Sequence, residues 1–204
     1  MPSVFNTYFQ LGFYHIFNLR AYDHIVFLLA LCAPYVLRDW RRIAALVTSF
    51  TIGHSLTLAL ATLGFVEYSA KLIELLIPTT ILLTCLLNLA QVGRPEERPA
   101  ARRKPESVLL AVPNLLAGLF GLIHGLGFSS YLHGLLGQQS RPVLELLAFN
   151  VGVEVGQLFI VSIILLLGFV LLRGFGIARR DWLLLVSGAA AGIAMMLLLG
   201  QIVG

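Results

Sequence analysis

The chain has 204 residues, of which 58% are hydrophobic and only 12% are charged, and its mean hydropathy is +0.90. Soluble domains carry about 25% charged residues to wet their surfaces, so this composition excludes a soluble globule and indicates a membrane protein. The net charge of +4 does not indicate nucleic-acid binding, because the basic residues form short clusters between apolar runs, where they report membrane topology.

The first segment, residues 4–19, is too short to cross a bilayer. Its phenylalanines recur at every fourth position, which predicts an amphipathic helix on the membrane surface or tucked against the bundle. Six longer apolar runs follow, and about 20 apolar residues suffice to span a bilayer. We therefore predict an all-α, polytopic membrane protein with six transmembrane helices at residues 22–37, 43–65, 72–92, 108–128, 143–172 and 182–203.

The basic residues predict the orientation of these helices. Eleven of the 14 lysines and arginines follow spans one, three and five, and lysine and arginine collect in cytoplasmic loops. The prediction places both termini outside and makes the polar, proline-bearing stretch 93–107 a cytoplasmic loop. Residues 1–204 are expected to form a single integral membrane domain in the lipid bilayer, and a homo-oligomer is left open.

Five ionisable side chains lie within the apolar runs. Such groups cost roughly 2.5 kcal/mol or more in a bilayer centre, so each needs a partner or a water-filled cavity. At about 1.5 Å per residue, they fall in one layer between the midplane and the outer surface of the bundle. These residues are Asp23, His24, His54, His124 and Glu154.

Other polar residues accompany them. Asn150 and Gln157 share a helix face with Glu154, Ser55 adjoins His54, and His15 on the amphipathic segment is a candidate entry ligand. GxxxG spacings at residues 121–125 and 152–156 let helices approach closely, so the polar faces are expected to point into the bundle.

Three imidazoles and two carboxylates in one layer suit a first-row divalent metal ion, because nitrogen ligands favour nickel, zinc, copper or iron over magnesium or calcium. An alternative is that the histidines and acids pair only to hold the helices together. In the metal interpretation, Asn150, Gln157 and Ser55 would lie around the ligands as hydrogen-bonding partners.

Four sequence strings occur in this order: "GFYHIFNLRAYDHIVFLLAL", "FTIGHSLTLALATLG", "GLIHGLGFSSYL" and "LAFNVGVEVGQLFIV". They resemble the HupE/UreJ family of small bacterial membrane proteins, in particular its shorter branch. The resemblance implies a bacterial inner-membrane protein associated with nickel supply to hydrogenase and urease, whose better-known relatives are regarded as nickel permeases. A family pattern of a histidine, a gap and Asp-His matches His15, Asp23 and His24, and a His-Gly motif matches His124-Gly125.

The leading hypothesis is a permease or metal-binding membrane protein for a divalent transition metal, nickel or zinc. Its ligands would be neutral His24, His54 and His124, with Asp23 and Glu154 as anionic partners. Because imidazoles must lose a proton to bind metal, uptake should weaken as the pH falls through about 6.5.

Three other functions stay open. A zinc-dependent intramembrane hydrolase could use Asp23 or Glu154 as general base, with Ser55 polarising a carbonyl. Two opposed histidines could ligate haem. Finally, the protein could be an accessory factor with a purely structural polar core.

Overall fold

The computed structural model of this protein describes residues 3–18, 22–92, 112–135 and 142–203. Within these ranges the chain forms helices and their connections, without any strand, which confirms the all-α prediction. The predicted cytoplasmic loop at 93–107 lies outside the described residues.

Seven α-helices follow one another along the described chain. A 3-10 turn, Leu37–Asp39, precedes the third helix, and a π turn, Val170–Gly174, extends the sixth. The helices are α1 (Val4–Ile16), α2 (Asp23–Cys32), α3 (Trp40–Thr62), α4 (Ala70–Leu89), α5 (Val112–Leu135), α6 (Pro142–Phe169) and α7 (Arg179–Val203).

Five helices, α3 to α7, are long and apolar enough to cross a membrane, and they correspond to the second to sixth predicted spans. Their outward faces are apolar, with Ile52 61%, Leu166 58% and Leu185 68% exposed. Large exposed apolar surfaces are typical of helices that face lipid. The polytopic membrane fold is therefore confirmed.

The first predicted span differs from the expectation. It contains only α2, whose ten residues cover about 15 Å, half of a bilayer core of about 30 Å. Pro34 follows this helix, and its ring and missing N–H prevent a further helical turn. In the described part of the chain, five long apolar helices and one short apolar helix therefore take the place of the six predicted continuous spans.

Helix α1 packs against the bundle along α6, the second of its two predicted placements, and buries Gly12, His15 and Ile16 there. The two helices run in the same direction, because Gly12 contacts Phe149 and Phe17 packs on Phe159 further along. The end of α1 meets the start of α2, which continues toward the C-terminal end of α4. Together α1 and α2 form one broken path of about 35 Å through the bundle.

Two helix pairs touch backbone to backbone through glycine. A Cβ atom on Gly53 or Gly121 would collide with a carbonyl oxygen across the α3–α5 contact, and a Cβ atom on Gly12 or Gly152 would do so across the α1–α6 contact. The predicted close approach at the GxxxG spacings is therefore observed. Because Gly53 and Gly125 adjoin His54 and His124 in sequence, the α3–α5 contact fixes these two histidines relative to each other.

Candidate metal centre

Four histidines from four helices meet in the interior of the bundle. They are His15 from α1, His24 from α2, His54 from α3 and His124 from α5, and none is more than 9% exposed. The ring centroid of His24 lies 4.7 Å from that of His15, 5.4 Å from that of His124 and 6.2 Å from that of His54. His24 is therefore the centre of this histidine layer.

The start of α2 lies deeper than expected. Sequence reasoning placed Asp23 and His24 at the outer end of a full-length span, whereas His24 lies level with His124 near the middle of α5. The reason is that α1 already covers the first part of the path through the bundle. His15, expected only as an entry ligand, thereby joins the layer.

Three of these histidines present ring nitrogens to a common point. One nitrogen each from His15, His24 and His54 lies within 4.8 Å of the others. Zinc binds imidazole nitrogen at about 2.1 Å, so tetrahedral ligands around one ion lie about 3.4 Å apart. Small side-chain rotations would bring the three nitrogens onto one ion. Nitrogens that converge on one point suit a single metal ion better than haem, which two histidines would ligate from opposite faces.

The layer contains buried nitrogens without hydrogen-bond partners. In the described part of the chain, Nε2 of His15, Nε2 of His24, both ring nitrogens of His54 and Nδ1 of His124 make no hydrogen bond. Each unsatisfied buried polar group costs about 1–3 kcal/mol, and native proteins contain few of them. Coordination of a cation would satisfy these nitrogens.

Asp23 orients the central histidine. Its Oδ1 accepts a hydrogen bond from the backbone N–H of His24 at 2.9 Å and lies 3.1 Å from Nδ1 of the same residue. A carboxylate in this position keeps the proton on Nδ1 and leaves Nε2 as a lone-pair donor, the arrangement found behind many metal-bound histidines. In the first turn of α2, its charge also offsets the positive end of the helix dipole.

Thr80 on α4 has the same effect on His124. The Thr80 hydroxyl donates to the Ile77 carbonyl oxygen at 2.7 Å, and Nε2 of His124 lies 3.0 Å from the hydroxyl oxygen. Because a hydroxyl has one proton, the oxygen accepts from Nε2–H, and Nδ1 of His124 keeps its lone pair. Sequence reasoning did not select Thr80 as a site residue, although its position two residues after Pro78 marks a polar stretch of that helix.

Glu154 lies apart from the converging nitrogens. Its Oε1 accepts a hydrogen bond from Thr48 at 2.7 Å, and three residues further the Gln157 side chain accepts one from Thr51 at 2.8 Å. The predicted polar face of α6 therefore packs against α3.

A cavity lies beside this polar face of α6, and none of its lining residues is a histidine. It has a volume of about 260 Å³, and Thr51, Asn150 and Glu154 line it together with two valines. Asn150 lies beside the His54 imidazole and interacts with it. Asn150 therefore stands between the layer and Glu154.

A family model described as HupE / UreJ protein matches residues 1–201 of the chain. The chain belongs to the HupE/UreJ family. No curated protein and no solved structure matches it. The match extends beyond both ends of the four recognised strings, and it includes every residue of the histidine layer of this HupE/UreJ protein.

Aromatic rings enclose the histidine layer of this family member. The Phe128 ring centroid lies 4.0 Å from that of His15, and those of Phe27 and Phe50 each lie 5.2 Å from that of His124. An apolar shell of this kind limits the access of water and lowers the local dielectric constant. The layer is thus a compact polar site within an apolar interior.

Two further polar residues of the HupE/UreJ chain lie outside the layer. Ser55 is half-buried, and none of the described hydrogen bonds links it to a histidine. His133 is exposed near the end of α5, where its Nδ1 lies 2.7 Å from the Thr62 carbonyl oxygen. His133 therefore provides a matched control for the buried histidines.

Proposed function

We propose that this HupE/UreJ protein is a permease for a divalent transition metal ion, nickel or zinc, which binds in the histidine layer as the transported substrate. The observation that carries the proposal is the group of buried imidazoles whose ring nitrogens lack hydrogen-bond partners. Imidazole is a preferred ligand of nickel, zinc, copper and iron. The association of the family with nickel supply supports the same substrate class.

In the proposed binding step, His15, His24 and His54 supply the first nitrogens, and Nδ1 of His124 completes the set. Asp23 provides negative charge behind His24, which matters because an uncompensated divalent ion is costly in a low-dielectric interior. Neutral imidazoles bind metal, so occupancy should fall when the pH is low enough to protonate them.

In the proposed transfer step, the ion leaves the layer past Asn150 and enters the cavity that Asn150 and Glu154 line. Asn150 offers an amide oxygen next to the layer, and Glu154 offers a carboxylate four residues further along α6. Conduction requires binding that is weak or divided enough for the ion to leave. The oxygen atoms of Asn150 and Glu154 would form a second, weaker binding site next to the layer, so the ion could move from one site to the other.

The test is uptake into proteoliposomes that contain the purified protein and a metal-sensitive dye. Wild-type protein should carry Ni²⁺ or Zn²⁺ inward faster than protein-free vesicles, and His54→Ala should abolish the difference. His133→Ala is the matched control and should keep wild-type uptake, because this exposed histidine bonds only to the α3 end.

The zinc-dependent hydrolase predicts a different pattern. Three imidazoles leave an open coordination position that could activate water, although Asp23 is hydrogen-bonded to His24 and Glu154 to Thr48. In that case His54→Ala would abolish substrate turnover and leave metal uptake unchanged. Equal uptake by wild-type and His54→Ala vesicles would contradict the permease.

A further inference from the structure

A second cavity lies at the opposite end of α6 from Pro142, where the π turn meets the α2–α3 connection. Its volume is about 390 Å³, and its walls are mostly apolar. Two arginines, Arg38 and Arg173, complete the lining beside Val36, Leu37, Phe169 and Leu172. The cavity thus combines an apolar groove with two cationic groups at one end of the bundle.

Local backbone structure brings these two arginines together. The carboxylate of Asp39 accepts a hydrogen bond from the Val36 N–H at 3.2 Å and fixes the 3-10 turn that carries Arg38. Arg173 lies in the π turn, where the Phe175 N–H donates to the Val170 carbonyl oxygen at 3.3 Å. Single π turns often occur at functional sites, because they alter the direction of side chains.

The charge of the groove is not neutralised by the described chain. Both arginines are exposed, and the only described ion pair joins Asp23 and His24. Guanidinium groups bind phosphate through two parallel hydrogen bonds. The groove therefore offers two exposed guanidinium groups to an anion beside an apolar surface.

The position of the groove favours a membrane lipid as that ligand. Together with its π turn, α6 has 33 residues and a length of about 50 Å, more than the bilayer core of about 30 Å. The end of α6 therefore reaches the headgroup region. The exposed Phe169 lines the side of the groove next to the acyl chains. A free phosphate ion has no apolar part that could pack against these walls, whereas a phospholipid has acyl chains.

We propose that the groove binds an anionic phospholipid, with the phosphate between Arg38 and Arg173 and an acyl chain against Phe169 and Leu172. The lipid joins the α2–α3 connection to the end of α6. It thereby braces the short α2 helix, on which the central histidine lies. Basic pockets between transmembrane helices are known recognition sites for anionic headgroups.

The test is lipid binding by the delipidated full chain in neutral detergent, followed by native mass spectrometry and thermal unfolding. Dioleoyl phosphatidylglycerol should bind at least tenfold more tightly than dioleoyl phosphatidylcholine and raise the unfolding temperature. Replacing both arginines (Arg38→Gln with Arg173→Gln) should weaken phosphatidylglycerol binding about 10- to 30-fold, since each basic residue contributes about 1 kcal/mol.

The matched control is Arg41→Gln with Arg180→Gln, which removes the same charge from residues outside the groove lining. Equal losses in both double variants would overturn the proposal in favour of diffuse surface attraction. Stabilisation by inorganic phosphate equal to that by the lipid would overturn it in favour of a simple anion site.

A second variant tests the apolar half of the groove. Leu172→Trp should fill the groove and weaken phosphatidylglycerol binding while both arginines remain. Unchanged lipid binding in this variant would contradict the proposed acyl-chain position, even if the double arginine variant does not fold.

Discussion

Helices α3 and α5 run side by side, and their polar residues meet at two levels with opposite outcomes. At the middle level, His54 and His124 face two further imidazoles, and ring nitrogens remain without partners. At the end level, His133 bonds to the Thr62 carbonyl oxygen at 2.7 Å, and the Tyr68 hydroxyl lies 2.6 Å from that of Ser129.

The same side-chain types thus serve two purposes on the same helix pair. At the end level His133, Tyr68 and Ser129 have hydrogen-bond partners and fasten the α3–α4 connection to α5, although the buried Thr62 hydroxyl has none. At the middle level the fold keeps unsatisfied nitrogens together at an energetic cost. The cluster of imidazole nitrogens without hydrogen-bond partners therefore distinguishes the middle level from the end level, and three pairs of substitutions test this comparison.

The largest expected effect comes from the glycines that set the helix separation. A Cβ atom on Gly125 would collide with the His54 carbonyl oxygen and the Thr57 hydroxyl, whereas Gly134 has open space around it. Gly125→Leu should lower the free energy of unfolding by about 3 kcal/mol or more, because a backbone contact cannot relax easily. Gly134→Leu should change it by less than about 1 kcal/mol. Equal melting temperatures of the two variants in detergent would contradict the close α3–α5 contact.

The next effect concerns the carboxylate behind the central histidine. Asp23→Asn keeps the shape of the side chain but removes the charge that holds the proton on Nδ1 of His24. Zinc affinity, measured by calorimetry, should fall about 10- to 100-fold, the usual effect of losing such a partner. Asp181→Asn is the matched control, since Asp181 also lies in the first turn of a helix. A wild-type zinc affinity of the Asp23 variant would show that Asp23 does not orient His24.

The smallest effect separates the two levels most directly. Thr80→Val removes the hydroxyl that accepts from His124 and should weaken zinc binding about tenfold. Tyr68→Phe removes the hydroxyl that bonds to Ser129 and should lower the free energy of unfolding by about 1 kcal/mol, while zinc affinity stays unchanged. The comparison fails if Tyr68→Phe weakens zinc binding as much as Thr80→Val does.

Hydropathy alone predicted the five long helices, because apolar runs of about 20 residues have few other stable placements. The glycine spacings predicted the close helix contacts, and helix rise brought His54 and His124 to similar depths. These predictions succeed because they depend on local sequence and on the thickness of a bilayer.

The remaining features depend on tertiary placement. The apolar run at 22–37 appears continuous, so its sequence alone did not reveal that α1 occupies the first part of the path and α2 only the second. His15 joins the layer only because Gly12 and Gly152 let α1 lie along α6. Helix rise gave the depth of Glu154 but not its direction around the helix axis, and the carboxylate bonds to Thr48 on α3 instead of a histidine.

The two glycine contacts also divide the buried histidines between two closely packed helix pairs. His15 moves with the α1–α6 pair, whereas His54 and His124 move with the α3–α5 pair, and His24 lies on the short helix between them. Any rocking of one pair against the other changes the distances between these imidazoles. For the proposed metal ion, the number of imidazoles within reach would therefore depend on the angle between the two helix pairs, and a rotation that separates them would release the ion.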